Sequence, residues 1–402
     1  MIVLTTEQEK AVDVIVDWYR SRSSKLVFKL GGYAGTGKTT LIGRIAESIG
    51  KSIAFVAFTA KAALVLKSKL HAYGIYTDRS RNFCGTIHSL IYKPVIDEKT
   101  QQVIAWEKKD YDDLGYDLIV IDEASMVDEF ILNDLLSYET PILAVGDCFQ
   151  LPPVEGRLNL MDDPDMNLTE IHRQAKDNPI IQMSLGIRRD GWIKYGVYGP
   201  SVAKVPRHDS LKGRFIKGCK KDFSDTLILA GFNSTRVKIN KAIRNNLGFE
   251  GDFPQEGEKI ICLKNNYDAK NVPLINGQTG TAVNFSDFHT HLEAQVKIHG
   301  EDEWYFGPVS KVAFNNPKPK IDYKKEITRL GIDERLCDLK KEKVGVDYFD
   351  FGYCMTVHKA QGSQAKRVMI VEERFPRSSD EHWARWLYTA VTRSEEQLLI
   401  LG

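Results

Sequence analysis

The sequence predicts an α/β protein in two halves, with a β-hairpin inserted in the first and a β-rich segment inserted in the second. Three observations predict it. A glycine-rich run sits between an apolar, strand-like segment and an amphipathic, helix-like one. Further apolar segments at 55–58, 117–121 and 141–145 each give way to polar or acidic residues. The same alternation returns beyond Arg173, with strands at 226–230, 368–371 and 397–401 and helices at 235–246 and 382–392.

Taken in order, Leu26-Val27-Phe28-Lys29-Leu30 reads as a buried strand, and the run from Gly32 to Thr39 fits G-x-x-x-x-G-K-[ST], the P-loop. Leu41, Ile42, Ile45, Ala46 and Ile49 then share one helix face, and Gly50 stops that helix. The chemistry requires these residue types. Gly32, Gly35, Thr36 and Gly37 let backbone N–H groups converge on phosphate oxygens, and the helix N-terminus adds its dipole. Lys38 reaches the β- and γ-phosphates, Thr39 offers its hydroxyl to Mg²⁺, and Thr40 continues the turn. The competing reading, a glycine-rich turn with an exposed lysine, does not account for the flanking strand and helix.

The strand at 117–121 ends in Asp122-Glu123. Asp122 is expected as a second Mg²⁺ contact, and Glu123 as the group that orients and deprotonates the attacking water. The strand at 141–145 ends in Gly146-Asp147-Cys148-Phe149-Gln150, which puts Gln150 where it can sense the γ-phosphate. Between the P-loop and the strand at 117–121, short β-like runs at 91–96 and 103–106 flank a polar turn, a hairpin over 91–109 with Trp106 near its end. Residues 252–345 alternate short apolar runs with Gly and Pro. Its tail, 318–343, carries nine Lys/Arg against six Asp/Glu, a net of +3 explained equally by solvated helix faces or by a polyanion contact.

Bulk properties narrow the classes. The 402 residues carry 55 basic and 54 acidic side chains, so a polyanion must be held by a local groove and not by an overall field. No apolar stretch reaches the ~18 residues of a membrane span. The N-terminus lacks the basic and long apolar regions of a signal peptide. Cys84, Cys148, Cys219, Cys262, Cys337 and Cys354 are scattered without a CxxC pair, as reduced thiols are. A cytoplasmic protein without a membrane partner is expected.

The ordered motifs resemble superfamily 1 helicases, most closely the 1B branch of RecD-like and Dda-like enzymes. Leu4-Thr5-Thr6-Glu7-Gln8 resembles the Q motif, the P-loop motif I, and Phe58-Thr59-Ala60-Lys61 motif Ia. Gly85-Thr86-Ile87-His88 resembles motif Ib, Asp122-Glu123 motif II, Gly146–Leu151 motif III, and Leu168-Thr169-Glu170-Ile171-His172-Arg173 motif IV. His358-Lys359-Ala360-Gln361-Gly362 resembles motif V and Thr389-Ala390-Val391-Thr392-Arg393 motif VI. Tyr33 departs from the proline or small residue common in motif I.

The resemblance implies two RecA-like domains that sandwich ATP with Mg²⁺. Domain 1A spans 1–175, with a hairpin subdomain 1B at about 86–116. Domain 2A spans 176–251 and 346–402, and an SH3-like 2B spans 252–345. It implies that Gln8 reads adenine, that Gly362 lies at the nucleotide, and that Arg173 and Arg393 are arginine fingers. Thr59, Lys61, Thr86, His88, Thr356, His358 and Lys359 are implied as contacts to single-stranded nucleic acid. Trp106 either packs on its own domain or makes the hairpin a separation pin that splits the duplex. The implied activity is 5′→3′ DNA translocation and unwinding at duplex junctions, in a bacterial or phage-infected cell. Single-strand-binding protein or replication and recombination factors are the implied protein partners. RNA unwinding, protein displacement and a slow nucleotide-dependent switch are the alternatives; Glu123 and two candidate fingers argue against the switch.

Overall fold

The protein is described by a computed structural model over residues 4–21, 24–77, 81–96, 103–110, 113–152, 159–171, 177–218, 223, 225–264, 266, 272, 274, 276–288, 291–299, 301, 303–317 and 346–402. For 60, 94, 96, 103–106 and 218 the backbone alone is described. Arg173, the hairpin tip, the basic tail at 318–343 and the Trp106 side chain therefore lie outside the described residues. Two compact units divide the chain: Met1–Trp192 with Asp380–Thr392, and Ile193–Ser379 with Arg393–Gly402. This division differs from the expected one at two places. Residues 176–192 and the helix before Arg393 cluster with the P-loop half.

The first unit opens with α1 (Thr6–Arg20), which Thr5 and Gln8 start as a reciprocal capping box and which buries Ala11, Ile15 and Val16. Its sheet contains β1 (Val27–Gly32), β2 (Ile53–Ala57), β3 (Phe83–Thr86), β6 (Leu118–Asp122), β7 (Ile142–Gly146) and β8 (Met166–Leu168), ordered β3-β2-β6-β7-β1-β8. All five pairings are parallel. The strands are continuous apolar runs because both faces are covered. Phe55, Val120 and Leu143 face the core shared with α1 and α2 (Lys38–Ile49), while Ala54, Ile119 and Ile142 face the opposite one with α4 (Ile87–Ile91) and α5 (Glu129–Leu136). α3 (Ala60–Ala72) follows β2. Two further helices, α6 (Pro179–Asp190) and α9 (Asp380–Val391), pack on each other.

The inserted hairpin is a two-stranded sheet of its own, β4 (Tyr92–Ile96) against β5 (Val103–Lys108). Its base is clamped. Tyr138 Oη donates to the carbonyls of Ile91 (3.1 Å) and Lys109 (2.7 Å), and Tyr92 donates to Asp134.

The second unit holds β9 (Gly196–Gly199), β10 (Val202–Val205), β11 (Thr226–Ala230), β17 (Cys354–Thr356), β18 (Ala365–Val371) and β19 (Ser394–Leu401), ordered β17-β11-β18-β19-β10-β9. Only edge strand β9 runs antiparallel. Helices α7 (Ser210–Gly218) and α8 (Asn233–Leu247) accompany this sheet. The β-rich insert is an antiparallel sheet of β12 (Lys259–Cys262), β13 (Thr279–Asp287), β14 (Leu292–Ile298), β15 (Trp304–Val309) and β16 (Phe349–Phe351), ordered β15-β14-β13-β12-β16. Its last strand lies beyond the expected boundary at 345. Among the described residues its core is shared: Ile260, Val296 and Phe351 belong to one apolar cluster with Ile228, Met369 and Leu401 of the parallel sheet.

A buried ion pair fastens α8 to the start of β12. Arg244 Nε and Nη2 donate to Glu258 at 2.7 and 2.9 Å, and the guanidinium also donates to the Gly251 and Phe253 carbonyls. Glu258 is fully buried, so removing its partner strands a charge. Arg244→Met should destabilise the protein by about 3–5 kcal/mol in urea unfolding, with Arg244→Met/Glu258→Leu recovering most of the loss.

Candidate nucleotide site and nucleic-acid face

The strand ends of the first sheet set the order of the functional groups. The register aligns Ala57 with both Thr86 and Asp122, and Gly31 with Gly146. A Cβ on Gly32 would stand 2.8 Å from Thr36 Oγ1 and 3.1 Å from Lys38 Cγ, so only glycine fits that close approach. Gly37, at φ 77°, is the left-handed N-cap of α2 and makes no side-chain cap. The first-turn amides of α2 are thus left for an anion. Lys38 Nζ donates to the Gly32 and Tyr33 carbonyls at 2.7 and 3.0 Å. Gly35 is also left-handed, Thr36 Oγ1 donates to the Tyr33 carbonyl, and the Thr40 hydroxyl meets that of Tyr73.

The Q-motif residues brace this loop. Gln8 is buried; its amide oxygen accepts from Thr5 N, and its amide nitrogen donates to the Thr36 carbonyl at 2.9 Å. Glu7 accepts from Thr169 N, Thr169 Oγ1 and Glu170 N, which ties α1 to the segment after β8.

Asp122 ends β6. Burial, followed by the charge of Glu123, pushes its carboxyl up to about 6, while Lys38 and Lys69 pull the other way. Glu123 is held left-handed at φ 53°, a strained conformation for a non-glycine residue. A hard divalent cation beside Asp122 would relieve this crowding of carboxylates, and Thr39 on the first turn of α2 supplies a second oxygen. The donor set fits Mg²⁺. Among the described residues no cluster of three or more His, Cys, Asp or Glu could hold a metal, so a cation here would take its other ligands from phosphate and water. Gln150 Oε1 and Ser125 Oγ are buried without a hydrogen-bond partner.

The loop after β7 is gripped by one face of α9. Tyr388 Oη donates to Asp147 at 2.7 Å and accepts from Ala34 N at 2.9 Å. Arg385 donates to the Cys148 carbonyl at 3.1 Å, Leu151 N donates to Thr389 Oγ1 at 2.9 Å, and the Phe149 ring meets Tyr388 edge-on. Asp147 is fully buried, and burial raises its carboxyl even though Lys38 and Tyr388 oppose the shift. Sequence reasoning missed Tyr388. The available signal was the spacing of residues 385, 388 and 389, which share a helix face.

The candidate nucleic-acid residues of this unit cluster at the ends of β2 and β3. Thr59 and Thr86 cap α3 and α4 by accepting from Ala62 N and Ser89 N. Burial lowers the proton affinity of the Lys61 amine and of the His88 imidazole, whose ring packs near Phe58 and Tyr92. In the second unit Thr356 ends β17, the His358 ring lies near Phe375, and Lys359 is pushed down by burial. Gly362 is left-handed at φ 70°. Buried Arg393 donates to the Ser363 carbonyl, which joins motif VI to motif V.

Comparison with known proteins fits this geometry. Residues 3–196 match the AAA domain family and 351–401 the UvrD-like helicase C-terminal domain. An uncharacterized protein, R530, of Acanthamoeba polyphaga mimivirus is 30% identical, aligned over 98% of this chain and 99% of its own. The chain belongs to one family with that protein and carries an AAA domain followed by a UvrD-like helicase C-terminal domain. The ATP-dependent RecD2 DNA helicase of Deinococcus radiodurans is 26% identical over 99% of this chain, which spans about half (49%) of that protein's length. The same fold is seen in the Bacteroides Pif1 helicase crystallised with ADP-AlF3 and single-stranded DNA (TM-score 0.55, 18% identity, covering 100% of this chain and 92% of that one). Among the described residues no helix is long and apolar enough to cross a membrane.

Glu7 gives a pH test of the brace. Burial works to raise its carboxyl, but its three hydrogen bonds win and hold it below the ordinary range. A carboxyl depressed on folding stabilises the fold above its unfolded pKa and loses that contribution as acid protonates it. Glu7→Gln should therefore be less stable than wild type at neutral pH, the gap holding down to about pH 5 and narrowing from there to about pH 3 in urea unfolding. A gap constant across that range contradicts the assignment.

Proposed function

We propose that the protein is an ATP-dependent DNA helicase that moves 5′→3′ on single-stranded DNA and unwinds duplex at junctions. The observation that carries this reading is the shared carboxyl edge of one parallel sheet. Lys38 and Glu123 each act electrostatically on Asp122 and on Asp147 there, and the neighbouring strand ends bear Thr59, Thr86 and His88. A relative named as an ATP-dependent DNA helicase, and a fold neighbour crystallised with single-stranded DNA, support it.

In this reading Lys38 and the P-loop amides hold the β- and γ-phosphates of ATP. Mg²⁺, held by Thr39 and Asp122, supplies positive charge to the phosphate oxygens. Water attacks the γ-phosphorus as the bond to the bridging oxygen breaks, and Glu123 takes the water's proton. Gln150, whose buried amide oxygen lacks a partner, orients that water or the γ-phosphate. Arg173 and Arg393 stabilise the spreading charge as planar cations. Gln8 and Gly362 complete the nucleotide contacts, and Lys61, Thr356, His358 and Lys359 the nucleic-acid face. Domains 1A and 2A form the motor, with subdomains 1B and 2B inserted; the 1B hairpin serves as the separation pin and carries Trp106. Single-strand-binding or recombination proteins are the partners this activity calls for.

Lys38→Ala should abolish turnover in a folded protein, and Glu123→Gln should keep ATP affinity while lowering kcat by about 10²-fold or more. The deciding assay is unwinding of duplexes with a single 5′ or 3′ tail, in DNA and in RNA. Unwinding of the 5′-tailed DNA alone supports the proposal. Preference for a 3′ tail or for RNA contradicts its polarity or substrate, and ATP turnover without unwinding leaves a translocase.

A further inference from the structure

Arg188 lies on the last turn of α6, in the same unit as the P-loop. Its guanidinium carbon stands 3.1 Å from the centroid of the Tyr33 ring, the P-loop position that departs from the family pattern. A guanidinium stacked on a ring uses its face and keeps five N–H donors in its plane. Those donors have no hydrogen-bond or carboxylate partner among the described residues, whereas neighbouring Arg189 is exposed and paired with Asp190 at 2.8 Å. The helix that presents Arg188 is firmly set: Asn178 caps it, Pro179 starts it, and Ile180, Met183 and Ile187 are buried. Burial raises the Cys148 thiol and the Tyr388 phenol, and the Arg188 charge acts on both in the opposite direction. Cys148 follows Asp147 in sequence, and Tyr388 donates a hydrogen bond to it.

A half-buried guanidinium without a counter-charge is costly unless an anion completes it. The anion that fits is one held by the P-loop, because Tyr33 belongs to that loop. Nucleic acid is the poorer fit. β6 and β7 separate β1 from β2 in the sheet, which puts the Thr59 and Thr86 strand ends about 14 Å or more away. We propose that Arg188 is a further nucleotide-binding residue whose in-plane N–H groups contact the polyphosphate on the P-loop, with the Tyr33 ring as the platform that fixes the guanidinium plane.

This rests on the nucleotide reading above, so the test separates the two. Calorimetric titration with MgATP and with magnesium pyrophosphate, which lacks base and sugar, is made on wild type, Arg188→Ala and Arg188→Gln. Both variants should bind both probes about tenfold or more weakly, as expected for a charge-assisted contact. In a Tyr33→Leu background, Arg188→Ala should still cost about tenfold, because the contact is direct and not relayed through the ring. Wild-type protein that binds neither probe overturns the nucleotide reading and this one together. Unchanged binding in the variants, or no further loss in the Tyr33→Leu background, overturns this one alone. Loss of affinity for a single-stranded oligonucleotide with pyrophosphate binding intact also overturns it, and assigns Arg188 to the nucleic-acid face.

Discussion

The Tyr388 hydroxyl lies between the Ala34 amide and the Asp147 carboxylate, and the nucleotide end of the first unit is organised around it. A fully buried carboxylate needs donors, since an unsatisfied one costs several kcal/mol. Tyr388 and the Phe149 amide supply them. The same phenol fixes a P-loop amide, so the loop after β7 cannot shift without pulling on the P-loop. Arg385 and Thr389 repeat the grip on either side. This explains why α9 clusters with the first unit although the segments on both sides of it belong to the second. Arg393 follows that helix directly, so a candidate finger is joined through the backbone to a helix anchored at the P-loop.

Electrostatics gives the site its bias. Asp122, Glu123 and Asp147 crowd one sheet edge, and Lys38 is the lysine whose charge acts on both aspartates. Burial raises both aspartates, and the strained backbone of Glu123 holds a third carboxylate beside them. Such an edge favours cationic ligands and donors, and a metal–phosphate complex supplies the former. Arg188 and the Gln150 carboxamide lie on the rim of that edge, each with unused hydrogen-bonding capacity.

The sheet strands and the P-loop were legible because parallel strands buried on both faces leave continuous apolar runs, and because glycines mark the close approach. Thr5-Thr6-Glu7-Gln8 was read as a nucleotide motif, yet the same residues form a capping box that starts a helix. The Thr-x-x-Gln spacing held that signal. The end of the β-rich insert was misplaced because β16 pairs with β12 across a long stretch of chain, and no local pattern reports such a partner. That the insert shares its apolar core with the parallel sheet is likewise a tertiary property. Arg188 and Tyr388 escaped notice because a helical arginine and tyrosine carry no motif of their own. Their roles appear only when α6 and α9 are seen against the P-loop.

The most direct test of this account is a double-mutant cycle between Tyr388→Phe and Asp147→Ala, read in ATP turnover and in thermal unfolding on the same preparations. The account predicts that each single change lowers kcat by about tenfold or more while the protein stays folded. The double variant should be little worse than the poorer single, a coupling of about 1–3 kcal/mol. Independent, additive effects, or losses that track unfolding alone, would contradict it.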